Sequence, residues 1–374
     1  MSDEGTVPFG SNEVRLSPRE WLAAAAVIAV VLALAPILWE RVERFQPGPD
    51  YRVPFRLGSD YWHYSRTCRA AAARGRTLVV GDSVVWGHYV AAEDTLSHHL
   101  NEMAGKERFA NLGVDGIHPA ALAGLIEHYG GAITDRDVVL HCNLLWMSSK
   151  RHDLQSRKEF AFNHPKLVPQ LLVRIPCYRE SDAGRLAIVV GRHLPFRGWA
   201  SHVEIAWFDS LGLAGWTIEH PYDNPLRRVT LELPSPNEPP SPEPVAEPWT
   251  AKGMPRFDAA WVELETSFQW RSLRRAIATL RRRGNRVFVL LGPFNEHMLT
   301  EKSLAAYQSR KSSIGEWLRE NGVPHAVPPP LPSDLYADAS HPLGEGYAEL
   351  ARWLYRDEAF GRFIAHRPDE EKLR

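Results

Sequence analysis

The sequence predicts an α/β protein with a parallel sheet covered on both faces, tethered by one N-terminal membrane span. Three observations carry this expectation. From residue 76 onward, short and nearly continuous apolar runs alternate with helical stretches. The segment 21–39, WLAAAAVIAVVLALAPILW, contains no charged residue. Polar or glycine residues (Ser83, Gly116, Asn143, Asn295) stand at or just after the ends of four apolar runs, where sites form in parallel sheets.

The span comes first along the chain. At about 1.5 Å per residue, 21–39 is long enough to cross a bilayer core. Trp21 and Trp39 suit the two interfaces, and Pro36 near the exit is tolerable. The residues that follow, Glu40-Arg41-Val42-Glu43-Arg44, offer no small-residue cleavage site, so an uncleaved signal anchor is expected. Arg15 and Arg19 precede the span, whereas Arg41, Arg44, Arg52 and Arg56 follow it. Read strictly, this charge bias keeps the large domain in the cytoplasm. Long domains translocate largely regardless of charge, and an extracytoplasmic domain is the expectation adopted. Residues 1–20 are read as an N-terminal tail. Residues 40–75 are read as a juxtamembrane connector, with Tyr61, Trp62 and Tyr64 as aromatic anchors.

The folded domain is assigned to 76–360, and 361–374 to a C-terminal tail. Its strands are expected at 77–81, 109–113, 137–143, 286–293 and 323–327, each rich in apolar residues. Helices are expected at 96–104, 119–129, 261–283, 302–320 and 344–355. The third of these is stopped by Gly284-Asn285 and the fourth by Asn321-Gly322. A large insertion, 150–260, separates the third and fourth strands. Its first eighty residues are aromatic and basic, including Phe196-Arg197-Gly198-Trp199 and Trp207-Phe208. The stretch 233–248, LPSPNEPPSPEPVAEP, is expected to be an extended surface loop.

Composition narrows the function. Of 374 residues, 44% are hydrophobic and 24% charged, as in a globular chain with a sizeable core. A net charge of −1 gives no general attraction to nucleic acid, and none is expected as a partner. Arg271, Arg274, Arg275, Arg281, Arg282 and Arg283 read as the solvated face and C-terminal end of a helix. Cys68, Cys142 and Cys177 lack metal-ligand spacing and do not fix the compartment; Cys142 alternates with Val138 and Leu140 as a small buried hydrophobe. No metal cluster, dinucleotide loop or phosphate loop is recognisable, so neither metal nor cofactor is expected.

Chemistry is suggested by Gly81-Asp82-Ser83 after the first strand and Asp338-Ala339-Ser340-His341-Pro342 far downstream. A serine hydroxyl is a weak nucleophile until an imidazole removes its proton. A carboxylate fixes that imidazole's tautomer and stabilises its charged form. Between them lie Gly113-Val114-Asp115-Gly116 and, after the third strand, Asn143. Each of these residues also has a plainer reading, as a turn or helix-capping residue. The four blocks in this order resemble the SGNH branch of the GDSL hydrolases, over about 76–150 and 285–358. The resemblance implies a flavodoxin-like three-layer α/β/α sandwich with a five-stranded parallel sheet. It also implies Ser83 as nucleophile, His341 as general base and Asp338 as the group that orients it. The N–H groups of Ser83 and Gly116 and the Asn143 amide would form the oxyanion hole. The third block departs from the family's usual Gly-x-Asn-Asp: here it reads His141-Cys142-Asn143-Leu144. His118 and His141 are expected in structural roles, and Glu296-His297 is a weaker candidate for the pocket wall.

The reading is a membrane-anchored serine esterase or O-acyltransferase acting on an ester, with acetyl groups of a cell-surface glycan as the substrate suggested by resemblance. A polytopic membrane acyltransferase is the expected partner for the transfer reaction. The alternative is an inactive SGNH-like module that binds glycan or assembles with membrane partners.

Overall fold

The structure, a computed structural model, describes residues 16–365. Residues 1–15 of the expected N-terminal tail and 366–374 of the expected C-terminal tail lie outside the described residues.

Five strands form one all-parallel sheet: β1 (Thr77–Gly81), β2 (Phe109–Gly113), β3 (Asp137–Cys142), β4 (Arg286–Leu291) and β5 (His325–Ala326). The strand order is β2-β1-β3-β4-β5, that of a flavodoxin-like sheet. Successive residues face opposite sides. Leu78, Val80, Val138, Leu140 and Val289 belong to one core, and Val79, Val139, Phe288 and Leu290 to the other. Both faces are covered, which is why the strands read as apolar runs rather than alternating ones.

The helices are α1 (Pro18–Val42), α2 (Tyr61–Ala73), α3 (Ser83–Trp86), α4 (Leu96–Ala104), α5 (Pro119–His128), α6 (Asp182–Gly191), α7 (Pro195–Trp207), α8 (Leu213–Glu219), α9 (Pro225–Arg228), α10 (Phe268–Arg282), α11 (Glu301–Glu320), α12 (Gly344–Arg356) and α13 (Glu358–Ala365). The first core is closed by α2, α5 and α10, the second by α4, α12 and α13. The arginine face behaves as expected of a helix end. Arg281 donates to Asn321 O, and Arg283 donates to the carbonyls of Ile126 and Glu127 in the last turn of α5 and of Gly130 just beyond it. All three cysteines are buried and unpaired.

Several boundaries differ from the sequence reading. The expected helix 261–283 begins only at Phe268. Ser267 caps it by accepting from Trp270 N at 3.0 Å, and Asp153 accepts from the Phe268 and Gln269 N–H groups. Trp261, Val262 and Leu264 are buried as irregular backbone instead. The fifth strand shrinks to two residues because Pro324 and Pro328 flank it at the sheet edge. Residues 40–75, read as a juxtamembrane connector, contribute Tyr51, Val53, Leu57, Tyr64, Cys68 and Ala71 to the main core. The expected tail after 360 begins as helix, with Phe363 buried beside Phe288. The insertion contributes Leu167, Val168, Trp207 and Trp216 to the same main core.

Helix α1 runs for 25 residues and is long and apolar enough to cross a bilayer. Ser17 and Glu20 close its N-terminus with a capping box. At the other end Trp39 packs edge-on against Trp199 and Trp207 of α7, each at 5.5 Å between ring centroids. Beneath them His202 is fully buried between two carboxylates, with Nε2 at 2.6 Å from Glu43 and Nδ1 at 2.5 Å from Asp60. Arg66 of α2 also pairs with Glu43. Burial alone would lower the His202 pKa, but Asp60 and Glu43 outweigh it and raise it to about 9. The charged imidazole thus clamps the exit of α1 to α2 and the insertion.

Replacing His202 by alanine is expected to destabilise the domain by about 3–5 kcal/mol, because two carboxylates lose their shared counter-charge. The unfolding midpoint should fall by on the order of 10 °C. Because the folded pKa is raised, the stabilisation is complete below the ordinary imidazole value of about 6.5. It fades as pH rises through about 9. A melting temperature that His202→Ala leaves unchanged at pH 7 would refute the clamp.

Candidate active site

Three loops at the carboxyl ends of β1, β2 and β3 and a fourth segment before α12 build the site. After β1 the chain turns at Asp82, whose carboxylate accepts from Val84 N at 3.1 Å and starts α3. Ser83 is thereby the first helical residue and lies at the mouth of the sheet, 8% exposed. The approach is tight: a Cβ on Gly113 would lie 2.4 Å from Trp86 N, so the end of β2 can pass α3 only as glycine.

The downstream block arrives through α12 and its preceding turn. His341 Nε2 lies 2.8 Å from Ser83 Oγ, across 258 residues of sequence. His341 Nδ1 lies 2.8 and 2.9 Å from the two Asp338 oxygens. The same carboxylate accepts from the Ser340 and His341 N–H groups, and from the Tyr89 hydroxyl at 3.2 Å. Burial would raise the Asp338 pKa, but His341 and these donors hold it well below the usual carboxylate range. With Asp338 ionised, the proton of neutral His341 belongs on Nδ1. Nε2 is then free to accept from Ser83 Oγ–H. Burial lowers the His341 pKa, Asp338 raises it, and the net direction is upward. Asn295, after β4, steadies the turn by donating its amide to Asp338 O at 3.1 Å, while its N–H donates to Ala339 O.

The proposed oxyanion donors are arranged as follows. Gly116 has φ +69°, a conformation that favours glycine, and a Cβ there would push aside the Asn163 amide 2.4 Å away. Asn163 donates to Gly116 O at 3.3 Å and His164 to Asp115 O at 3.0 Å, so the insertion holds this loop from outside. The N–H groups of Ser83 and Gly116 donate to no partner among the described residues. Asn143 donates one amide hydrogen to Asp82 at 2.9 Å and accepts from Leu145 N, which leaves its second amide hydrogen. The altered third block therefore keeps its asparagine tied to the serine loop.

Asp82 is the hub that residue-by-residue reading missed. Besides Val84 N and Asn143 it accepts from His141 Nδ1 at 3.0 Å and Trp146 Nε1 at 2.9 Å. Burial would raise its pKa, but His141, Trp146 and Asn143 bring it down to about 2. Its position inside Gly81-Asp82-Ser83 was the available signal; Trp146 carried none. A second imidazole, His88, pairs with Asp115 at 2.7 Å and lies 5.5 Å from the His341 ring. His118 caps α5 by accepting from Ala121 N, the structural role expected of it. Glu296 pairs with Lys311 and His297 donates to Leu331 O; neither has a recorded contact with Ser83, Asp338 or His341. Among the described residues no group of three or more His, Cys, Asp and Glu side chains could hold a metal ion.

No protein-family model matches the chain, and no curated protein matches it.

Proposed function

We propose that this chain is a membrane-anchored serine esterase or O-acyltransferase of the SGNH kind. The observation that carries the reading is the unbroken line from Ser83 Oγ through His341 to Asp338. In the reaction His341 takes the Ser83 proton while Oγ attacks an ester carbonyl. The charge gathering on the carbonyl oxygen meets the Ser83 and Gly116 N–H groups and the spare Asn143 hydrogen. His341 then returns the proton to the departing alcohol, leaving an acyl-serine. Water or a sugar hydroxyl takes the acyl group in a second step by the same proton route. α1 tethers this chemistry to a bilayer, and the reading puts the domain on the extracytoplasmic side, acting on acetyl esters of a surface glycan beside a membrane acyltransferase.

A fluorophosphonate probe tests the reading on the full chain. Labelling is expected at Ser83, with a rate that rises with pH through an apparent pKa above about 6.5, since the raised His341 pKa delays the neutral base. Folded protein that takes no label at Ser83 would favour the inactive binding module. A membrane-impermeant probe applied to intact cells labels Ser83 only where the domain faces outward.

A further inference from the structure

A groove of 1360 Å³ lies between the exit of α1, helix α2 and the insertion. Its lining includes Pro36 and Ile37 of α1 and Ile188 and Leu194 of the insertion. It also includes Asp115 and Asn163, the neighbours that flank and brace Gly116. The groove thus joins the membrane-spanning helix to the loop beside Ser83.

Its charges are not balanced within the protein. Among the lining carboxylates Glu40 pairs with Arg69 and Asp115 with His88, whereas Glu180, which accepts from the Ser181 N–H, and Glu204 have no cation partner among the described residues; the lining Arg56 pairs with Asp209 and Glu238 outside the groove. Against this, Lys166, Arg192 and Arg197 line the groove with no carboxylate partner among the described residues. Arg192 is the most telling. It spends its terminal nitrogens on His128 Nε2 and the carbonyls of Lys166 and Val168, and its Nε is buried with no acceptor. This half-buried guanidinium donates only to neutral acceptors, and the nearby Glu127 carboxylate pairs with Arg275 instead, so Arg192 has no anion in direct contact among the described residues.

We propose that this groove holds an anionic, phosphate-bearing membrane lipid, its head group at Arg192 and its acyl chains along Ile37 and Ile188. Continuity with α1 selects a lipid over a soluble anion: Pro36 and Ile37, which line the groove, belong to the helix long and apolar enough to cross a bilayer, so a lipid can reach it from the membrane. Negative head groups are drawn to basic clusters at the membrane boundary. The binding claim stands apart from the acyl-transfer reading, because it needs no reaction at Ser83.

The full chain in neutral detergent, offered phosphatidylglycerol or phosphatidylcholine of matched chains, tests it by native mass spectrometry. Wild type is expected to retain phosphatidylglycerol roughly tenfold more than phosphatidylcholine, because both offer the same phosphodiester but the choline cation cancels the net attraction of the head group to the basic cluster. Arg192→Gln should remove that preference. Ala187→Trp, at an exposed position on the groove wall, should reduce retention of both lipids without lowering the melting temperature. Ser83→Ala should bind as wild type does. Equal retention of the two lipids by wild type, or unaltered retention in folded Ala187→Trp, would overturn the proposal. So would displacement of the lipid by millimolar inorganic phosphate, which would mark a soluble-anion site.

Discussion

Ser83→Ala is expected to reduce p-nitrophenyl acetate turnover by a factor of about 10⁴–10⁶ while leaving the melting temperature within a degree or two of wild type. The size follows from the roles that act as a unit. Without Oγ there is nothing for His341 to deprotonate, and the remaining donors can only polarise the carbonyl. The change is sterically mild, since Oγ faces the site and its recorded bond is to His341. His341→Ala should fall to a similar level, and the double variant should be no worse than either alone. Equal turnover by wild type and Ser83→Ala would remove Ser83 as nucleophile and with it the enzymatic reading.

Asp82→Asn is expected to cost less activity than Ser83→Ala but far more stability, for a different reason. The four groups that converge on Asp82 are all donors: Val84 N–H, His141 Nδ1–H, Asn143 Nδ2–H and Trp146 Nε1–H. An asparagine would aim an NH₂ at one pair of them, so at least two buried hydrogen bonds are replaced by a donor facing donors. The destabilisation should be about 3–5 kcal/mol, the range for uncoupling a buried charged group from its partners. Activity should fall further, by about 10²–10³, because Asn143 loses the anchor that fixes its second amide hydrogen. Asn143→Ala separates the two effects. It should reproduce most of the activity loss with a smaller stability loss, since it removes one donor and leaves the other three on Asp82. The sign with pH is set by the depressed pKa. The Asp82 contribution is present above the ordinary carboxylate value of about 3.9 and is lost as pH falls through about 2. Equal stability of wild type and Asp82→Asn at neutral pH, by denaturant unfolding, would refute the hub.

These two variants divide the site into what is legible in a linear chain and what is not. Ser83, Asp338 and His341 were identifiable because each sits in a short polar block bordering an apolar run or a helix start. Asp82 stands in the first of those blocks, yet its importance depends on Asn143 and Trp146, both supplied by the end of another strand. The hold of Asn163 on Gly116 had no sequence signal at all, since nothing local relates an asparagine in an insertion to a glycine 47 positions earlier. The same distinction governs helix and strand ends. Ser267 is an evident cap once Asp153 is known to meet the next two N–H groups, but the apolar spacing of 261–267 reads equally well as another helical turn.

The sequence by itself determined the α/β class, the four loops at the carboxyl ends of the strands, the three polar residues of the proposed triad and the uncharged span at 21–39. Those properties are local: side-chain periodicity, the burial of both sheet faces and the charge of a 19-residue window are written in consecutive residues. Only the tertiary structure decided that Ser83 and His341 meet, that Asp82 gathers four donors, and that His202 binds the exit of α1 to the insertion. It alone opened a groove from that exit to the Gly116 loop. Each of these depends on segments far apart in the chain being brought within hydrogen-bonding or packing distance. That distance is set by how the two cores close on the sheet, and no window of sequence contains it.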